Sequence, residues 1–100
     1  MNDEANAKIT LIPISSAEKF TIGSRYTTVA CFEDEREKYP KEAWSLVVEC
    51  CSLPNNTGTI LANVRFLVAE APAHLLHLGS RFELYEGRTI VASGEIILTP

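Results

Sequence analysis

The sequence has no long apolar run, and this absence excludes a helix that crosses a membrane. Such a helix needs about 20 consecutive, mostly apolar residues, and the apolar segments here are far shorter. The first eight residues, Met1 to Lys8, are polar and include the acidic pair Asp3-Glu4. They lack the basic start and the apolar stretch of a signal peptide. We therefore expect a cytoplasmic protein with no membrane partner.

Cysteine is sparse, since the 100 residues contain only Cys31, Cys50 and Cys51. An odd number of scattered cysteines does not form the disulfide framework of a small secreted domain. A catalytic thiol needs a neighbouring base, and nothing in the sequence marks one. Cys50 and Cys51 are adjacent in a predicted strand, so we expect Cys50 in the core and Cys51 on the outside.

Positive charge is not in excess, because the formal net charge is −4. Domains that bind nucleic acid are usually basic, so we expect no DNA partner. Hydrophobic residues make up 46% of the chain, which is enough for a core and argues against disorder. The length fits one compact domain.

The motifs of common catalytic and cofactor sites are missing from the sequence. It contains neither of the phosphate-binding motifs Gly-x-x-x-x-Gly-Lys-Ser/Thr and Gly-x-Gly-x-x-Gly. It also contains no Gly-x-Ser-x-Gly elbow. His74 and His77 are three residues apart, a spacing that can place two imidazoles on one metal, but no second closely spaced ligand pair accompanies them. We therefore expect no cofactor, no metal and no enzymatic activity.

Apolar and polar residues alternate with a period of two, which is typical of half-buried β-strands. The predicted strands cover residues 8–14, 26–32, 44–51, 60–68, 81–85 and 89–98. Val68, Ile90 and Leu98 belong to the sets that this alternation places inside. Glu86-Gly87 predicts a tight hairpin, because glycine tolerates the positive φ of such turns. Residues 53–58 form a second turn cluster.

Helix is predicted only in short turns, at residues 15–18, 33–41 and 71–78. Six strands with turns at short spacing favour an all-β domain that is either closed or sandwich-like. We assign residues 8–100 to this single domain and residues 1–7 to a flexible N-terminus.

The final strand pair runs from Gly79 through Arg81-Phe82, Glu86-Gly87 and Arg88-Thr89 to Val91 and Gly94. It resembles the closing hairpin of the C-terminal β-barrel domain of translation elongation factor Tu. That family has a glycine, Arg-Phe, a Glu-Gly-Gly-Arg-Thr turn and a Val-x-x-Gly strand. One turn glycine is missing here. Upstream, Gly23-Ser24-Arg25-Tyr26 is faintly similar to the family's Gly-Tyr-Arg-Pro, with Tyr26 in place of the proline. The resemblance implies a six-stranded antiparallel closed barrel, and we expect it to stand without the family's GTPase domain because 100 residues cannot contain both.

The resemblance also implies candidate partner-binding residues. In the family, this barrel packs on the GTPase domain and contacts tRNA and the exchange factor. The turn and strand around Arg88, Thr89 and Gly94 match the part that faces tRNA. Arg65 and Arg81 lie on predicted outward faces and flank the loop of residues 69–79, so they are candidates for a small basic contact patch.

These observations favour a stand-alone barrel that binds a protein. Binding of RNA, such as tRNA, through Arg65, Arg81 and Arg88 is the alternative that the resemblance suggests. A third hypothesis is an immunity- or antitoxin-like protein whose acidic stretch, residues 33–37, covers a basic toxin surface. That stretch is followed by lysines, a mixture typical of a solvated surface.

Overall fold

A computed structural model of the protein describes residues 4–12, 21–34 and 43–99. The described residues form six strands, which we number in chain order. They are β1 (Glu4–Leu11), β2 (Arg25–Phe32), β3 (Trp44–Cys50), β4 (Thr59–Phe66), β5 (Arg81–Glu86) and β6 (Thr89–Leu98). A single turn of 3₁₀ helix, Ala73–Leu75, lies between β4 and β5. The domain is therefore all-β, as the period of two predicts.

The strands close into a barrel in the order β1-β4-β3-β2-β5-β6, with β6 returning to β1. Every neighbouring pair is antiparallel. Strands β2, β3 and β4 follow one another directly, and β1 lies beside β4, which is a Greek-key arrangement. The structure thus confirms a closed six-stranded barrel, and closure gives each of the six described strands a neighbour on both sides.

The inward side chains of the strands fill the barrel with aliphatic and aromatic groups. Phe32, Phe66 and Phe82 lie at one end, with ring centroids 5.6 Å apart for Phe32 and Phe66 and 5.2 Å apart for Phe32 and Phe82. We call this the aromatic end, and we call the opposite end, which carries the β5–β6 turn, the hairpin end. Cys50 is buried and Cys51 is exposed, as the alternation predicts.

Two strand limits differ from the prediction. Strand β1 begins at Glu4 rather than at residue 8, because Ala5 and Ala7 continue its buried side. Strand β4 ends at Phe66, and Val68 is 43% exposed, so the prediction that Val68 lies inside is wrong. The end of the first predicted strand, from Pro13 onward, lies outside the described residues.

Strand β6 contains two β-bulges that the alternation does not reveal. The first shifts the register so that Leu84 pairs with Ala92 while Tyr85 pairs with Ile90. The second shifts it where β6 passes Asn6 of β1. An extra residue reverses which side chains face inward. Val91 therefore packs against the core in place of Ile90, and Leu98 is 59% exposed, which corrects the predicted inward positions of Ile90 and Leu98.

The predicted hairpin is present, with Gly87 and Arg88 between Glu86 and Thr89. Gly87 has φ of 61°, whereas no described residue other than glycine has a positive φ. Positive φ at the first central position only is the geometry of a type II′ turn.

The 3₁₀ turn falls within the predicted turn at residues 71–78. The predicted turn at residues 15–18, and all but the first two residues of the one at 33–41, lie outside the described residues. In the part of the chain that the structure describes, no helix has the length and apolar character needed to cross a membrane.

Candidate functional site

The two arginines that flank the loop after β4 lie on opposite sides of the barrel. Arg65 is on β4 and Arg81 is on β5, and two strands separate β4 from β5 in either direction around the barrel. The prediction that Arg65 and Arg81 join in one basic patch is therefore wrong. The prediction rested on the fact that both arginines flank one loop. That loop crosses the aromatic end of the barrel, so its two ends lie on opposite sides.

Arg88 and Thr89 are exposed in the β5–β6 turn and at the start of β6. This places them at the hairpin end, whereas Arg81 begins β5 at the aromatic end. Arg65, Arg81 and Arg88 thus occupy three separate places on the barrel.

Gly94 has a role in packing. It pairs with Phe82 on β5 and with Ile9 on β1, both of which are buried. A Cβ atom at Gly94 would overlap Cζ of Phe82 and would lie 2.6 Å from its Cε2. The missing side chain therefore makes room for the Phe82 ring inside the barrel.

The structure places Arg81 and Gly94 in a shallow groove of about 300 Å³ on the outer surface of β1, β6 and β5. Its lining residues are Lys8, Thr10, Glu33, Arg81, Phe82, Glu83, Ser93, Gly94 and Glu95. We call it the outer groove.

Four charged residues of alternating sign cross the outer groove. Lys8 on β1 pairs in register with Glu95 on β6, which pairs in register with Arg81 on β5. Glu33 follows Phe32, the partner of Phe82, and therefore continues the row past Arg81. We call Lys8, Glu95, Arg81 and Glu33 the charge row.

Only one contact between described members of the charge row is an ion pair. The Lys8 Nζ lies 3.8 Å from Glu95 Oε1, and both side chains are partly exposed. Such a pair contributes little stability, because water screens it. Arg81 is exposed and makes no ion pair with another described residue. An exposed guanidinium group can bind the carboxylate of a partner in a two-pronged geometry.

Three exposed aliphatic residues border the charge row toward the aromatic end. The Gly79 N–H donates to the Ile96 carbonyl at 2.9 Å, and the Ile96 N–H donates to the Ser80 carbonyl at 2.8 Å. Gly79 and Ser80 thus lie opposite the single residue Ile96, which is a β-bulge, and Gly79 has a φ of 85°. This brings Leu78 beside Ile97.

Leu78 is 67% exposed, Ile97 is 39% exposed and Leu98 is 59% exposed. We call these three residues the apolar patch. The alternation in the sequence hid this patch, because it placed Leu98 in the core.

The side chain of His77, which lies in the same loop as Leu78, contacts Asp34 just after the end of β2. Its Nε2 lies 2.7 Å from Asp34 Oδ2, and its Nδ1 lies 3.1 Å from the Leu78 carbonyl oxygen. Both ring nitrogens thus face oxygen acceptors, an arrangement that the doubly protonated imidazolium satisfies. The hydrogen bond to Asp34, followed by that to Leu78, raises the pKa of His77 above its usual value.

The cysteines considered for catalysis contact main-chain oxygens. The Cys50 thiol donates to the Ser52 carbonyl at 3.0 Å, and burial raises its pKa. The Cys51 Sγ lies 3.5 Å from the Glu49 carbonyl oxygen. Among the described residues there is no group of three or more metal-ligating side chains, and His77 pairs with Asp34.

A second cavity, of about 190 Å³, opens at the hairpin end. Its walls include the buried side chains of Ile9, Val48 and Leu84, and its rim includes Tyr26 and Glu86. The Tyr26 hydroxyl donates to the Glu86 carboxylate. Partial burial, together with this hydrogen bond, raises the pKa of Tyr26.

Comparison with known proteins finds no family model that matches the sequence, and no curated protein matches it either. The architecture is that of a small six-stranded all-β barrel.

Proposed function

We propose that this protein is a non-enzymatic binding module that docks a protein partner on the outer surface of β1, β6 and β5. The observation that carries this proposal is that the apolar patch borders the charge row. We call the two together the docking face. The aliphatic side chains supply apolar area that a partner removes from water, and the charges orient that partner.

The composition of the docking face supports a protein partner. Protein interfaces combine an apolar centre with a polar, charged rim. Burying one aliphatic side chain fully is worth about 1.5–3 kcal/mol, so three neighbouring ones supply useful affinity. Charges around them mainly set the rate of encounter and the register of the complex.

We further propose that the barrel is related to the C-terminal domain of elongation factor Tu. The hairpin that resembles the family's supports this proposal, because each of its glycines stands where the barrel needs a residue without a side chain or with a positive φ. Gly79 and Gly87 have φ of 85° and 61°, and Gly94 leaves room for Phe82. These glycines have roles within the barrel itself, so their presence supports a related architecture without indicating that the chain binds tRNA.

RNA binding has less support than protein binding. Phosphate contacts need basic side chains that follow a strand of nucleic acid. Arg65, Arg81 and Arg88 lie in three separate places, and the net charge is −4. An immunity- or antitoxin-like role would be one form of protein binding. Of its acidic stretch, Glu33 lines the outer groove and Asp34 pairs with His77, whereas residues 35–37 lie outside the described part of the chain.

The test is a quantitative pull-down with matched leucine variants. Leu78→Ser removes an aliphatic group from the docking face, and Leu53→Ser removes one of nearly equal exposure, 66% against 67%, elsewhere on the surface. We expect a protein captured from a native lysate by the wild type and by Leu53→Ser to be lost with Leu78→Ser. Equal capture by both variants would contradict this location, and capture of RNA alone would contradict the function.

A further inference from the structure

We propose that the partner is a second copy of this chain, bound face to face through the docking face about a two-fold axis. The axis runs parallel to β5 and β6 and passes between Glu95 and Arg81. This inference rests on the proposed function, since it names the partner of the same surface.

The charge row is complementary to itself. In the order Lys8, Glu95, Arg81, Glu33, the signs alternate from positive to negative. A two-fold rotation about an axis parallel to the strands reverses this order in the second copy. Glu95 of one copy then faces Arg81 of the other, and Lys8 faces Glu33. A row that began and ended with the same sign would instead place like charges together.

The central pair contributes most to this match. The barrel surface curves away from the axis, so Lys8 and Glu33 lie farther from the second copy than Glu95 and Arg81 do. Arg81 has no ion-pair partner among the residues that the structure describes. Each contact occurs twice in a two-fold interface, which doubles the effect of one substitution.

The apolar patch also meets its own copy. The rotation keeps each residue at the same height along the strands. Ile97 and Leu98 are at the end of β6, and Leu78 precedes β5, so the patch lies close to the same axis. The two patches therefore cover each other at the aromatic end while the charge rows meet beside them.

The size of the face sets the strength of the dimer. Strands lie about 4.8 Å apart and rise about 3.3 Å per residue, so three strands over six residues cover roughly 15 by 20 Å. Stable interfaces bury about 800 Å² on each partner, which is more than this face offers. We therefore expect a weak dimer that forms as protein concentration rises.

The experiment measures the sedimentation of the full chain at concentrations up to roughly 1 mM, where weak dimers are populated. We expect the wild type and Leu53→Ser to dimerise, and Leu78→Ser to remain monomeric over the same range. Arg81→Glu and Glu95→Arg each place like charges across the axis, and we expect each to weaken dimerisation about tenfold or more.

The decisive sample is an equimolar mixture of Arg81→Glu and Glu95→Arg. The carboxylate introduced at position 81 of the first variant would face the guanidinium introduced at position 95 of the second, and the reverse contact also pairs opposite charges. We expect the mixture to form a heterodimer although neither variant dimerises well alone. Thermal melts of each variant confirm folding before the measurement.

Three results would overturn the inference: a monomer at every concentration, a dimer insensitive to Leu78→Ser, or a mixture no more associated than its components. A wild-type monomer whose capture of another protein is still lost with Leu78→Ser would overturn the dimer and leave the proposed function standing. Unchanged capture and no dimer would remove both.

Discussion

The ring of Phe82 occupies the space that a side chain at Gly94 would fill, since a Cβ atom added there would come within 2.6 Å of the ring carbon Cε2. Phe82 also packs against Phe32, so its ring is held on two sides. An aromatic ring in a packed core moves only with its neighbours.

We therefore expect Gly94→Ala to destabilise the barrel by about 1–3 kcal/mol, the usual cost of overpacking a core. Urea denaturation measures the free energy of unfolding. The double variant Gly94→Ala with Phe82→Leu should recover part of the loss, because leucine leaves more room. A Gly94→Ala variant as stable as the wild type would contradict the packing role.

Asn55 organises the turn between β3 and β4. Its Oδ1 accepts from the Thr57 N–H at 2.9 Å, the Thr57 hydroxyl at 2.7 Å and the Thr59 N–H at 3.0 Å. We expect Asn55→Ala to cost about 1–2 kcal/mol, because several donors lose one acceptor. Asn56→Ala is the matched control, and it should change the free energy of unfolding by less than about 0.5 kcal/mol. Equal effects at both positions would argue against the turn contacts.

Ser80 is 3% exposed, and its hydroxyl has no hydrogen-bond partner among the described residues. We expect Ser80→Ala to be neutral or to stabilise the protein by up to about 1 kcal/mol, because it removes an unsatisfied buried group. Thr28 is the contrasting case, since its hydroxyl donates to the Tyr85 carbonyl. Thr28→Val should cost about 1 kcal/mol in the same urea titration. A Ser80→Ala variant that is the less stable of the two would show that the hydroxyl has a partner.

The contact between His77 and Asp34 makes stability depend on pH. Because the pKa of His77 is raised in the folded protein, the contact stabilises fully below the usual histidine value of 6.5. The stabilisation is lost as pH rises through the folded pKa. NMR titration of the His77 ring should therefore show a lower pKa in Asp34→Asn than in the wild type. The difference in melting temperature between the two proteins should be larger at about pH 5.5 than at about pH 8.5, and the opposite trend would contradict the assignment.

The strands could be predicted from sequence because side-chain alternation is a local property. The inward positions of Leu46, Val48 and Cys50 follow from it directly. The β5–β6 turn was also predictable, because its positive φ at position 87 favours glycine and depends only on adjacent residues. The alternation left open whether the six strands close or form a sandwich, because that choice depends on which strands pair.

The set of strands, most of the core and the turn between β5 and β6 thus follow from local sequence, because all of them depend on near neighbours in the chain. Long-range packing determines that the barrel closes, that Arg65 and Arg81 lie on opposite sides, and that bulges in β6 turn Leu98 outward. Long-range packing also assembles the charge row, whose members come from four separate segments. Register between distant strands is set by packing of the whole core, which no single stretch of sequence contains.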